Sequence, residues 1–194
     1  MALPLGDRAR ALTALIEAGR EATGRTAFDE AAGHLRRAVD VAGGPAAADP
    51  GILCEYGDAL RRAGHGEDAR SAFLAAAGRA RAAGDTAVLA LAAFGAHRVT
   101  TMTGSPRSDV IVLLEEALAA LGPRQRDMRW RVTASLAREL ADGPDRDRPR
   151  AIALATAAVD GARVGGDNGT LAYALFALAA MRRCRRPMPS WPRP

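Results

Sequence analysis

Leu53-Cys54-Glu55-Tyr56-Gly57-Asp58-Ala59-Leu60 and, further on, Ala69-Arg70-Ser71-Ala72-Phe73-Leu74-Ala75-Ala76 are the two segments that decide the fold. They lie in the stretch Asp49–Asp85, where residues of fixed size recur at fixed offsets: Leu53-x2-Tyr56-Gly57-x2-Leu60, Ala69-x3-Phe73-x2-Ala76, and a closing Gly84-Asp85. Offsets of three and four place each set on one face of a helix. Tyr56 and Leu60 then project from a first helix, and Phe73 projects from a second and fills the space between them. Gly57 and Ala69 are small, so the two backbones can approach closely. Arg70 falls on the solvent face. Bland Ala-rich helices also carry small residues, but they do not ordinarily set a glycine, an alanine and an aromatic at these offsets. The pattern describes a helix–turn–helix unit of about 34 residues.

That spacing is the spacing of a tetratricopeptide repeat, and it extends in both directions. Residues 1–7 read as a lead-in. From Arg8 the same offsets fall on Leu15, Ala18-Gly19 and Ala22, then on Ala31, Leu35 and Ala38. Thr26-x-x-Asp29 offers a hydroxyl cap for the second helix. Ala42-Gly43-Gly44-Pro45 ends it, and Asp49-Pro50 supplies an N-cap and first helical residue for the next. Beyond Asp85-Thr86 the anchors are Leu91, Phe94-Gly95 and Arg98, and a loop at Thr103-Gly104-Ser105-Pro106 leads to a helix over 109–121. After Gly122-Pro123, residues 127–141 carry Trp130, Thr133-Ala134 and Ala137. A polar loop, Asp142 to Asp147, leads to a helix with Ala151 and Ala158, and a last helix runs from near Asn168 to Arg183. A shift of 82 residues lays Arg81 to Asp85 over Arg163 to Asp167, and Leu89, Ala92 and Phe94 over Leu171, Ala174 and Phe176. Such self-similarity is typical of solenoids, whose units pack only on their neighbours. The expected fold is all-α: a tetratricopeptide-like array, a right-handed α-solenoid, of about four helix pairs plus a ninth helix over residues 8–183. An Arg/Pro-rich tail at 184–194 is expected to be disordered, because its prolines forbid helix.

Composition agrees. Hydrophobic residues make up 48% of the 194, but aromatics only 4%, so the core is built from Ala, Leu and Val. Alanine favours helix and suits close-packed helices more than one thick core. No segment alternates like a strand. The formal charge is +5, and all 27 basic residues are Arg. These are spread along the helices among 22 acids, which describes solvated faces and argues against nucleic acid as the main partner. Cys54 and Cys184 stand far apart, without metal or disulfide spacing. No signal peptide or membrane span is read, so the expectation is a cytoplasmic protein with no membrane contact.

Two further runs carry a resemblance. They are Leu113-Leu114-Glu115-Glu116-Ala117-Leu118-Ala119-Ala120-Leu121 with Arg131 to Leu140, and Ala157-Ala158-Val159-Asp160 with Gly166-Asp167 and Leu171 to Leu175. Over residues 8–180 the chain resembles the tetratricopeptide-like helical region of large actinobacterial signal-transduction ATPases, the LuxR-type and maltose-activator-like transcriptional regulators. That resemblance implies a sensor array that follows a P-loop ATPase and precedes a DNA-binding helix–turn–helix. The chain departs from this plan. With no Lys it cannot form a Gly-x4-Gly-Lys-Ser/Thr loop, and no DNA-reading module fits the proline-rich tail. What the resemblance leaves is the array alone, as a truncated or standalone relative.

Chemistry is sparse. His34, His65 and His97 lack a neighbouring ligand at helical spacing, Glu115 and Glu116 face different directions, and no serine sits in a nucleophile elbow. Asp142 to Asp147 lacks the terminal Glu and ligand order of a calcium loop. No catalytic residue, metal site or cofactor is expected. The remaining candidate is the groove lined by the first helices of successive units. The repeat register places Arg20, Asp58, Arg61, Arg131 and Arg138 on or near it, with Cys54, Ala92 and Ala96 as its apolar floor. Arginines there would clamp carboxylate or phosphate, or else stand merely exposed. The expected role is a non-catalytic interaction module whose groove takes a protein or peptide segment, with a second copy as one such partner through the open ends of the array. The alternatives are a sensor fragment for a small-molecule ligand and a nucleic-acid accessory using the arginine-rich tail.

Overall fold

The structure is a computed structural model that describes residues 5–103, 108–165 and 167–183. Among the described residues there are nine α-helices, one short 3₁₀ turn and no strand. The all-α class therefore holds. The chain separates after Leu121 into two compact units.

The first unit contains α1 (Leu5–Gly24), α2 (Phe28–Ala42), α3 (Pro50–Ala63), α4 (Gly66–Ala83), α5 (Thr86–Thr103) and α6 (Ser108–Ala120). Each helix packs on the next, and α3 also meets α5. Local chemistry sets most boundaries. Asp49 accepts from the N–H groups of Gly51 at 2.8 Å and Ile52 at 3.2 Å, with Pro50 as first helical residue. Asp85 does the same for Ala87 and Val88. Gly84 closes α4 in the left-handed conformation, at φ 68, while the N–H of Asp85 donates back to Ala80. One Gly-Asp pair thus ends one helix and caps the next.

Several boundaries differ from the expectation. α1 begins at Leu5, ahead of Arg8, where Asp7 in the first turn suits the positive end of the helix and pairs with Arg10. Thr26 does not cap α2. Ala27 is the N-cap residue, without a side-chain bond, and Thr26 itself takes φ 59, where its N–H donates to the Thr23 carbonyl and closes the turn. Leu91 is 41% exposed instead of anchored, because within this unit no further helix lies beside α5 as α5 lies beside α3. Arg70 is not on a solvent face; its side chain is mostly buried and ion-paired with Asp109 of α6. The expected loop after Thr103 falls on residues 104–107, outside the described residues, as does the tail at 184–194.

The interior follows the register. Leu53, Leu60, Ala69, Phe73 and Ala76 are buried. The Phe73 ring lies against two neighbouring helices. A Cβ on Gly57 would lie 3.0 Å from it, and a Cβ on Gly95 of α5 only 2.2 Å. One aromatic side chain therefore clasps α3 and α5 through two missing side chains. Leu35 makes the same approach to Gly19 of α1, where a Cβ would stand 2.8 Å away. Gly19, Gly57 and Gly95 recur every 38 residues, and Leu35 and Phe73 share that interval.

The second unit contains α7 (Arg126–Ala141), the 3₁₀ turn Asp145–Asp147, α8 (Arg148–Gly165) and α9 (Asn168–Arg183). The three helices pack mutually. Ala134, Ala158, Val159, Ala174 and Ala177 form the core, flanked by Leu171, Tyr173 and Leu178. Trp130 is half-buried, and its ring lies where a Cβ on Gly161 would come within 2.2 Å. Thr133, Ala134, Ala137, Ala151 and Ala158 are buried as the register requires.

Candidate functional site

Glu55, Asp58 and Arg62 lie three and four residues apart on α3 and share one face. Arg20 of α1 reaches that face and forks onto Glu55, with Nε to Oε2 at 2.9 Å and Nη2 to Oε1 at 2.7 Å. The hydrogen bond and charge of Glu55 raise the guanidinium pKa above its ordinary value. Arg20 is thus already matched by a carboxylate of its own chain.

Asp58 is the hub of the face. Its Oδ1 accepts from Arg61 Nε at 3.1 Å and Nη2 at 2.6 Å, and its Oδ2 from Arg62 Nε at 2.7 Å. Arg98 of α5 brings a third guanidinium to 3.6 Å. Burial pushes the Asp58 carboxyl up, but the Arg61 hydrogen bond and the charges of Arg61 and Arg62 outweigh it, so it titrates below the usual range. Arg61, 10% exposed, is held inside this knot, whereas Arg62 is 43% exposed. Arg62 lies over the Phe28 ring at 5.2 Å, and Arg98 over Phe94 at 5.7 Å. The aromatic faces hold the flat guanidinium groups by cation–π attraction.

A shallow hollow beside Arg62 is lined by Thr26, Phe28, Asp29, Glu30 and Ala63. Both acids are engaged: Asp29 with His65 at 3.1 Å, and Glu30 with Arg25 at 3.2 Å. Cys54 lies under this face at 3% exposure, and burial first, then nearby acids, push its thiol up to about 12. It offers packing volume and no accessible sulfur. Ala92 and Ala96 are likewise fully buried.

Arg131 and Arg138 belong to the second unit. Arg131 straps α7 to α9, donating from Nε to Thr170 Oγ1 at 2.8 Å and from Nη2 to Asp167 Oδ2 at 2.9 Å. Asp167 also accepts from the N–H groups of Gly169 and Thr170 and from the Thr170 hydroxyl. The Thr170 hydroxyl, Arg131 and the Gly169 N–H hold its carboxyl down at about 2. Arg138 stacks over Phe176 at 4.9 Å and lines a small hollow with Arg148, Asp142, Ala177 and Met181.

The structure thus brings Asp58 and Arg61 into one cluster, sets Arg20 on the neighbouring stretch of the same α3 face, and gives Arg131 a strapping role. Arg62 and Arg98 complete the cluster, and sequence reasoning missed them as site residues. Their signal was the helical spacing of Asp58 and Arg62 and, for Arg98, the same spacing of four from Phe94. Among the described residues no group of three or more His, Cys, Asp or Glu is placed to hold a metal, and no helix is long and apolar enough to cross a membrane. A scan against protein-family models finds no match to this chain, and a search of curated protein sequences finds none either.

Proposed function

We propose that this chain is a non-catalytic helical-repeat interaction module of the tetratricopeptide-like, right-handed solenoid kind. Its α1–α3–α5 face takes an acidic segment of a protein partner. The 38-residue recurrence of glycine against a large side chain supports the repeat reading. The observation that carries the functional reading is the charge imbalance at Asp58, where Arg61 and Arg62 share one carboxylate. Arg61 is used internally. Arg62, exposed and propped on Phe28, keeps donors for an incoming carboxylate, and charge-assisted bonds of that kind are the strong ones. The resemblance to regulator arrays supports a role in signal transduction, where such a module would report on a partner instead of performing chemistry.

The test is a fluorescence-anisotropy titration with a labelled Asp/Glu-rich peptide, alongside its Asn/Gln counterpart. Arg62→Glu should weaken the acidic peptide at least tenfold, about 1.4 kcal/mol, and added salt should weaken it further. Equal affinity for the two peptides, or no effect of Arg62→Glu, would sink the reading.

A further inference from the structure

The outer face of α9 is an apolar stripe, with Arg138 of α7 stacked over one of its rings, Phe176. Ala172, Leu175, Phe176 and Ala179 are all exposed, Leu175 to 42% and Phe176 to 50%. Their spacing of three, four and seven residues from the first sets them in one stripe. A helix that buries one face in its own core ordinarily shows polar residues on the other. α9 buries Ala174, Ala177 and Met181, and no residue from Asn168 to Ala180 carries a charge.

α5 shows what such a stripe is suited to. The 82-residue shift that lays Asp85 on Asp167 lays Ala90, Ala93, Phe94 and His97 on Ala172, Leu175, Phe176 and Ala179. On α5 all four are covered: Ala90, Ala93 and His97 are buried and Phe94 is half-buried. Within its unit α5 packs on α3, α4 and α6, whereas α9 packs on α7 and α8. The neighbour that α5 has and α9 lacks is α6. That helix buries Val110, Leu113, Leu114 and Ala117, an apolar stripe with the same spacing as the one on α9.

We propose that α9 is a homodimerisation helix, covered by α9 of a second copy across a two-fold axis. The stripe reads the same in both directions about the midpoint between Leu175 and Phe176. Antiparallel pairing therefore sets Leu175 opposite Phe176 of the partner subunit and Ala172 opposite Ala179 of the partner subunit. Such self-complementarity is what an isologous interface requires. The alanines at its ends let two helix axes approach to about 8–10 Å. A helix of this length runs about 24 Å, and one face of it is smaller than the roughly 800 Å² per partner of a standard interface. The dimer is accordingly weak and concentration-dependent.

Sedimentation equilibrium of the full chain from micromolar to millimolar concentration tests this. The wild type should approach twice its monomer mass, and Phe176→Glu and Leu175→Glu should stay monomeric. Both positions are exposed, so both variants should keep the wild-type helical circular dichroism, and Leu175→Glu, which leaves the Arg138–Phe176 stack in place, should keep the thermal midpoint. For the pairing, Ala172→Cys and Ala179→Cys are each made in a Cys184→Ser background. Mixed, they should form a disulfide-linked dimer under mild oxidation at least tenfold faster than either alone. A wild type that stays monomeric to millimolar overturns the proposal and leaves the face to a helix of another protein. A dimer that survives both glutamate variants, or one that cross-links as fast in either single variant, overturns it as well.

Discussion

Cys54 shows how a single residue can be placed correctly on a helix and still be misread for access. The register sets it toward the α1–α3–α5 face, yet the neighbouring helices close over it to 3% exposure. Burial and the nearby acids hold its thiol at about 12, so the nucleophilic thiolate is absent at neutral pH. Native protein treated with iodoacetamide at pH 8 should leave the Cys54 peptide unmodified by mass spectrometry, and addition of urea should make it react. Fast labelling of the native chain would mean that the face is open to the depth of α3. Arg62 is the opposite case. It was not singled out in the sequence, because only the fold brings it over Phe28, and only its helical spacing from Asp58 hinted at the pair.

Among the helices, α9 depends on Asp167 at its start. That carboxylate caps α9 through Gly169 and Thr170 and holds Arg131 of α7. Its pKa of about 2 lies below the ordinary 3.8, so the folded state prefers the charged form. The contribution is complete above the ordinary value and is lost as pH falls through about 2. Asp167→Asn keeps a capping oxygen but gives up the charge. Urea midpoints measured from pH 6 down to 2 should fall more steeply for the wild type below pH 4 than for the variant, and parallel curves would show that the charge is not used. Asp167 also marks what was legible beforehand. Caps and stops are local, so Asp49-Pro50, Gly43, Asp85 and the limits of α9 could be read from neighbouring residues. The ion pairs could not: Arg20–Glu55, Arg81–Glu116 and Arg131–Asp167 join residues 35 or 36 apart. That distance is set by how one helix pair lies on the next. Arg70 was misplaced for the same reason, since its partner Asp109 lies 39 residues further on, in α6.

For the molecule as a whole, the stability of the first unit rests on helix pairs that touch only their neighbours and are joined by a few large side chains. Alanine supplies most of the buried hydrophobic positions and little burial energy individually, so the wedges carry disproportionate weight. Phe73, clasped between Gly57 and Gly95, belongs to three helices at once. Phe73→Ala should cost about 3–5 kcal/mol in urea denaturation. Ser71→Ala, on the exposed side of the same helix, should stay within about 0.5 kcal/mol. In a repeat array such a loss also spreads to the units on either side. Hydrogen exchange followed by mass spectrometry on wild type and Phe73→Ala reads that spread directly. Faster exchange in α3, α4 and α5 together is the predicted result. Faster exchange confined to α4, or none at all, would mean that Phe73 does not join successive helix pairs and that the repeat register is wrong.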